Sequence, residues 1–192
     1  MKKAVKVNRF IWIDCEMTGL EIQKDVLLEI ATIITDVDLN IIAEGPELVI
    51  HQSDKHLNAM IPLVRDMHKK SGLTEDVRSS VVSLDEAEKQ TFEFIQEYCK
   101  KEAGVLAGNT VWQDALFLRK YMPRITNFLN YRIVDVSSVK VLVNQWYPKD
   151  PYTKFEKAKT HRALSDIRES IAELRHYRKY FFRVDSVMMK ES

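Results

Sequence analysis

Cysteine, glycine and proline are all scarce in this chain. Cys15 and Cys99 are the only cysteines in 192 residues, and glycine and proline number five each. Two thiols cannot staple a chain of this length, so a disulfide-framed secreted scaffold is excluded and a reducing, cytoplasmic setting is expected. So little Gly and Pro rules out a collagen-like, linker-rich or disordered chain. An excess of one charge sign is also missing. The formal net charge is +1, so no overall field gathers long polyanions. Nothing approaches the ~20 consecutive apolar residues of a membrane span. Lys2, Lys3, Lys6 and Arg9 suit the start of a signal peptide, but the apolar run behind them, Phe10 to Ile13, stops at Asp14 and is too short for one.

What is present is an ordinary globular composition, 45% hydrophobic and 30% charged, enough for one domain with a sizeable core. Phe10-Ile11-Trp12-Ile13 is aromatic and β-branched and apolar on both faces, which predicts a central strand. Val26 to Val37 predicts a second strand. After a turn at Leu39-Asn40, Ile41 to Ile50 predicts a third, bent or at an edge because of Gly45-Pro46. Connections this short favour an antiparallel meander.

Short helices are predicted over Leu63–His68 and Thr74–Ser80. Ser83 and Glu86 have capping-box spacing and open a longer helix that runs toward Gly104. Val105–Ala107 and Tyr131–Val134 predict two further strands. Helices follow each, one ending near Pro123 and one near Trp146. Trp146 to Lys159 reads as a mobile loop. A last helix from about Arg162 to Phe182 carries an apolar stripe of Ala163, Ile167, Ile171, Leu174 and Tyr177, and the tail from about 183 is expected to fray. The pattern predicts an α/β domain with a mixed five-stranded sheet, three strands as a meander and two parallel, flanked by helices, and residues 1–192 as one domain.

Three features carry chemistry. Asp14 and Glu16 sit two apart after an apolar strand, so on a continuing strand they share a face and Cys15 points away. Two neighbouring buried carboxylates repel, and a divalent cation resolves the repulsion. If the strand has already ended, the same residues are merely solvated. Gly108-Asn109-Thr110 precedes a helix bearing Asp114, a place where backbone N–H groups can approach an anion, although an early acidic residue also suits any helix start. His161 and Asp166 flank the start of the last helix. Histidine can take a proton near neutral pH, yet a lone one is more often a surface or packing residue. Together these features supply four carboxylates and one histidine at strand ends, helix starts or loops beside them, where α/β sheets gather their sites. Two cations about 3.5–4 Å apart, held by carboxylates, form the clamp used for in-line attack on a phosphodiester.

The segments FIWIDCEMTGL (10–20), GNTVWQDALFL (108–118), YRIVDVSSVK (131–140) and HRALSDIRESIAEL (161–174), with WYP at 146–148, resemble the oligoribonucleases, DEDDh 3′→5′ exonucleases of the RNase H-like fold. The resemblance spans essentially the whole chain. It implies that Asp14, Glu16, Asp114 and Asp166 hold two Mg²⁺ or Mn²⁺ ions. His161 would be the general base, taking a proton from the water that releases a nucleoside 5′-monophosphate. Thr18 and Leu20 match substrate-binding positions, Leu20 as a wedge between the two terminal bases. Thr110, Tyr131, Arg132 and Ser137 match positions that cap a 5′ phosphate, the last three supplied by the partner subunit of a homodimer. The implied substrate is short single-stranded RNA of about two to five nucleotides, dinucleotides included, which near-neutral charge suits because long strands need many cationic contacts.

Two positions depart from the pattern. Leu63 stands where a Trp that stacks on the 3′-terminal base is usual, and Ser165 where a second Asp often precedes the metal-binding one. Residues 154–183 hold nine basic against four acidic residues, readable as a solvated helix face or as a basic rim over the site. A proofreading DNA exonuclease and a non-catalytic nucleic-acid binder remain as rivals. Absence of an extended polymerase-binding tail counts against the first, and four clustered carboxylates that would repel phosphate count against the second.

Overall fold

The computed structural model describes residues 6–157 and 162–182. One sheet of five strands organises them, in the order β3-β2-β1-β4-β5. The strands are β1 (Arg9–Met17), β2 (Leu27–Thr35), β3 (Ile41–Val49), β4 (Gly104–Gly108) and β5 (Asn130–Asp135). The first three form the antiparallel meander, and β4 and β5 lie parallel to β1 and to each other. This is the predicted mixed sheet. β3 is an edge strand, and its register slips by one residue across Gly45-Pro46, where Ala31 and Ile33 face Glu47 and Glu44.

β1 is longer than its apolar core. It continues through Asp14-Cys15-Glu16, so the alternative in which those acids lie beyond the strand does not hold. Strand alternation divides its side chains. Ile11, Ile13, Cys15 and Met17 join the core under α4 (Leu84–Tyr98), α5 (Trp112–Tyr121) and α6 (Pro123–Phe128). Trp12 belongs to the opposite core, with α7 (Val136–Trp146) and the Ala163–Tyr177 stripe of α8 (Ala163–Phe181). Asp14 and Glu16 therefore share the α8 side of the sheet.

Three short helices, α1 (Asp54–Ala59), α2 (Pro62–Lys70) and α3 (Leu73–Ser79), cover Leu28 at one end of the sheet. Two elements escape the sequence patterns. α1 and α6 have six residues each, less than two turns, too few to establish a period. α4 ends at Tyr98, and Gly104 instead opens β4. Ser83 caps α4 by accepting from the Glu86 N–H, but Glu86 turns its own carboxylate to Gln90, so only half of the capping box forms.

The stretch after Trp146 is held more firmly than predicted. Tyr147 packs on Phe181, and Tyr152 stacks on Tyr180 with ring centroids 3.8 Å apart. Phe155 meets His176, and a single 3-10 turn spans Pro151–Thr153. The aromatic rings at 147, 152 and 155 provide the anchorage that its Pro and charged residues conceal. Nor do the arginines of the last helix form a free basic rim. Arg162 pairs with Glu29 and Asp76, Arg168 with Glu44 and Arg178 with Asp38, while Arg175 donates to the Leu39 carbonyl.

Candidate active site

β4 pairs with β1 only as far as Ala107 opposite Trp12. Beyond that point the two strands part, and the crevice between them opens at their carboxyl ends, where parallel strands place ligands. Gly108 is the last residue of β4, and a Cβ there would sit 3.1 Å from Val111 Cγ2 and 3.2 Å from the Ile13 carbonyl oxygen, so a side chain would crowd this junction. The freed Cys15 N–H donates to Asp114 Oδ1 at 3.0 Å, which draws the first turn of α5 over the end of β1. Asp166 arrives from the first turn of α8.

Carboxylate oxygens of Asp14, Glu16 and Asp166 lie within 4.8 Å of one another. Asp114 stands just outside that triad and lines the same cleft with Asn109, Thr110, Gln113 and Leu20, a cavity of about 660 Å³. All four carboxylates named from the sequence thus meet in one place. His161 lies outside the described residues.

The electrostatics are unfavourable to ionisation. Burial, then the carboxylates of Asp166, Glu29 and Asp114, push Glu16 up to about 8, against the lowering effect of the Arg162 guanidinium. Burial pushes Asp114 up to about 7, and the Cys15 N–H partly offsets it. Burial followed by Asp114, Glu16 and Asp166 raises Asp14 well above the usual carboxylate range. Carboxylates this close stay protonated or share a cation. The donors are oxygens alone, with Cys15 turned to the opposite core, and such a set fits a hard divalent ion.

The surrounding predicted residues separate into groups. Leu20 is 70% exposed at the rim of the cleft. Asp25 holds its loop, accepting from the Thr18 hydroxyl and the Glu21 N–H at 2.8 Å each, and a Cβ on Gly19 would strike that carboxylate at 2.5 Å. Gln113 donates to the Leu20 carbonyl from the other side. Thr18 is buried in this turn, so it shapes the loop rather than facing the carboxylates. Leu63 is exposed and lines an adjoining hollow with Leu20, Ile61 and His56.

Thr110 adopts φ +53°, a region unusual for a β-branched residue. Its N–H donates to Asp135 Oδ1 and Ser137 Oγ at 3.0 Å each, which holds the strained turn in place. The Thr110 and Ser137 hydroxyls are 3.1 Å apart. Ser137 reaches this turn within one chain, because β5 runs beside β4 and delivers the first turn of α7 to it. Tyr131 and Arg132 lie on the exposed edge strand, with the guanidinium 4.5 Å over the Tyr131 ring, and neither lines the cleft. Tyr131 is 78% exposed.

Four supporting residues carry no local sequence signal. Glu29 and Glu173 are fully buried carboxylates that bind Arg162 and Lys157. Asp135 braces Thr110. His68, also fully buried, donates from Nε2 to the Met17 carbonyl at 2.8 Å and places Nδ1 3.9 Å from Glu16 Oε2. Glu29 was hidden in a hydrophobic run, where a lone acid reads as an outward-facing residue.

An exonuclease family profile, that of RNase T, matches residues 11–174. The "Probable oligoribonuclease" of Dictyostelium discoideum is 53% identical over 176 residues, 92% of each chain. The oligoribonuclease of Pseudoalteromonas atlantica is 50% identical over 181 residues, 94% of this chain and 99% of its own. The chain belongs to the oligoribonuclease family. The fold agrees. Exonuclease I of Methylocaldum szegediense superposes with a TM-score of 0.70 at 18% identity, over 91% of this chain and 41% of its own. A second exonuclease I structure gives 0.69 at 16% identity, over 90% and 41%. These neighbours are RNase H-like, and this chain spans only about two fifths of their length. An oligoribonuclease is a hydrolytic 3′→5′ exoribonuclease, and this chain has the cleft for one.

Proposed function

We propose that the cleft hydrolyses the 3′-terminal phosphodiester of short single-stranded RNA, dinucleotides above all, to nucleoside 5′-monophosphates. The observation that carries this reading is the convergence of three carboxylates within 4.8 Å, Glu16 buried and Asp14 and Asp166 half-buried, beside an exposed Leu20. Asp14, Glu16, Asp166 and Asp114 would hold two divalent cations, Mg²⁺ or Mn²⁺. When bound, these supply the positive charge that stabilises an in-line phosphoryl transition state. Leu20 separates the two terminal bases. Leu63 and Ile61 offer an aliphatic side to the 3′ base. Thr110 and Ser137 hydroxyls, with Arg132 and Tyr131, receive the 5′ phosphate. His161 takes the proton of the attacking water. The cavity of about 660 Å³ falls among small-ligand pockets, at roughly 300–1,000 Å³, which suits a dinucleotide better than a polymer.

The test is hydrolysis of 5′-labelled RNAs of about two, five and twenty nucleotides and of matched DNA, with Mn²⁺ and with EDTA. Metal-dependent loss of the dinucleotide ahead of the longest RNA and of DNA is expected. Faster digestion of DNA would move the protein to a DNA-directed exonuclease, and no cleavage at all would leave a binding protein. In the same assay Leu63→Trp should lower KM for the dinucleotide about tenfold, because a base stacked on an aromatic ring gains ~1–3 kcal/mol.

The homodimer is part of the same proposal. Tyr131, Trp146 and Val141, 78%, 67% and 58% exposed, leave an apolar surface on the β5 and α7 side. A second copy seated there would account for Tyr131 and Arg132 standing apart from their own cleft. Sedimentation at twice the 22.4 kDa chain mass is the expected result, and a monomer would remove this part of the proposal.

A further inference from the structure

Two buried carboxylates flank one short stretch of chain. Lys157 Nζ is 2.7 Å from Glu173 Oε2, with the Glu173 side chain fully buried and that of Lys157 18% exposed. Glu173 cannot swing away, since Asn109 Nδ2 at 2.8 Å and the Tyr177 hydroxyl at 2.9 Å also donate to it. Asn109 itself lines the catalytic cleft. On the other side Arg162 donates to Glu29 Oε1 through Nη2 at 2.8 Å and Nε at 3.1 Å, while Oε2 accepts from the Ala163 N–H at 3.0 Å. Arg162 Nη1 reaches Asp76 at 3.0 Å. Glu29 stands on β2 directly opposite Glu16. Both carboxylates are thus tied to the same scaffold that carries the metal-binding cluster.

Lys157 and Arg162 are five Cα steps apart, a span of at most about 18 Å when fully extended. The chain between them includes His161, immediately before Arg162. We infer that Glu29 and Glu173 are positioning residues: through Arg162 and Lys157 they fix both ends of the stretch that bears the general base. The inference rests on the reading of His161 as that base. Lys140 Nζ also stands 3.4 Å from Glu173 Oε1, farther than Lys157. Buried carboxylates paired with the nearest cations would equally suit a purely structural role, but that role gives no reason for the closest cation of each carboxylate to bracket the same residues. It also gives no reason for one of the carboxylates to be bonded to a residue lining the cleft. A general base misplaced by about an ångström can lose ~100-fold in rate.

The test uses the full chain with Mn²⁺. Lys157→Met should lower kcat about ten- to hundredfold while KM for the dinucleotide and the calorimetric Mn²⁺ affinity stay within about twofold. Lys157→Arg should recover most of the rate. Glu173→Gln, isosteric and able to accept from Asn109 through its amide oxygen and donate to the Tyr177 oxygen through its NH2, should repeat the kcat loss should Lys157→Met fold poorly. In a His161→Ala background Lys157→Met should cost nothing further, because an anchor has no effect once the group it positions is gone. Wild-type kcat in Lys157→Met beside an inactive His161→Ala overturns the anchor inference and leaves the base reading standing. An additive further loss in the double variant, or parallel falls in kcat, Mn²⁺ affinity and melting temperature, also overturns it. Full activity in His161→Ala overturns the base reading and the inference with it.

Discussion

Asp14→Asn should yield a folded enzyme that melts higher than the parent in EDTA at pH 8 and turns over at least about a thousandfold more slowly. Both effects come from one side chain. In the metal-free protein the Asp14 carboxylate is buried against Asp114, Glu16 and Asp166, and it is held well above its usual range for that reason. An amide of the same shape removes a charge that its neighbours oppose. Relief on the order of 1 kcal/mol raises the melting temperature of a chain this size by about 2–4 °C. The same amide cannot neutralise a divalent ion, so the gain in stability accompanies a loss of catalysis, as expected where a site stores repulsion for function. Thermal melts in EDTA and single-turnover hydrolysis of a dinucleotide check the two halves separately. Retained turnover would sink the carboxylate-cluster mechanism. A lower melting temperature would show that the cluster is not repulsive in the metal-free state.

The metal-free protein should also lose stability as pH rises, and a divalent cation should restore it. Glu16 is pushed from 4.5 up to about 8, and Asp114 from 3.8 up to about 7. An acid whose folded value lies above its unfolded one binds its proton more tightly in the folded state. Its contribution is therefore complete below the unfolded value and is lost as pH rises through the folded one. Melting temperature in EDTA should fall between about pH 5 and pH 8, by roughly 5–10 °C if a few kcal/mol is at stake. Mn²⁺ should raise it more at pH 8 than at pH 6, since at the lower pH the ion must first displace protons. Calorimetry at pH 7 in buffers of different ionisation enthalpy should register proton release on binding. A melting temperature in EDTA that rises from pH 6 to pH 8 would contradict the assigned shifts, and binding without proton release would place the ion elsewhere.

Much of the architecture could be read from local pattern. The aromatic and β-branched run at 10–13, the bend at Gly45-Pro46 and the apolar stripe of the last helix each gave an element that the structure contains. Asp14 and Glu16 were legible because charge interrupts a strand otherwise buried on both faces. Where patterns were shorter than their own period, as in the six-residue helices α1 and α6, the elements went unread. The stretch after Trp146 looked like loose loop because its aromatic anchors find their partners on α8, on the far side of His161 in the chain.

The sequence by itself determined the sheet, the four carboxylates that line the cleft and the family, because strand periodicity, residue type and motif spacing are properties of neighbours along the chain. Only the tertiary structure decided that Asp114 is turned to the Cys15 amide, that Ser137 reaches Thr110 within one chain, and that Glu29 and Glu173 bind Arg162 and Lys157. Those contacts join residues far apart in sequence apart from the link of Lys157 to Glu173, and even that pair lies on different elements. They depend on where β4 leaves β1 and on how α8 lies across the sheet, and packing of the whole core sets both.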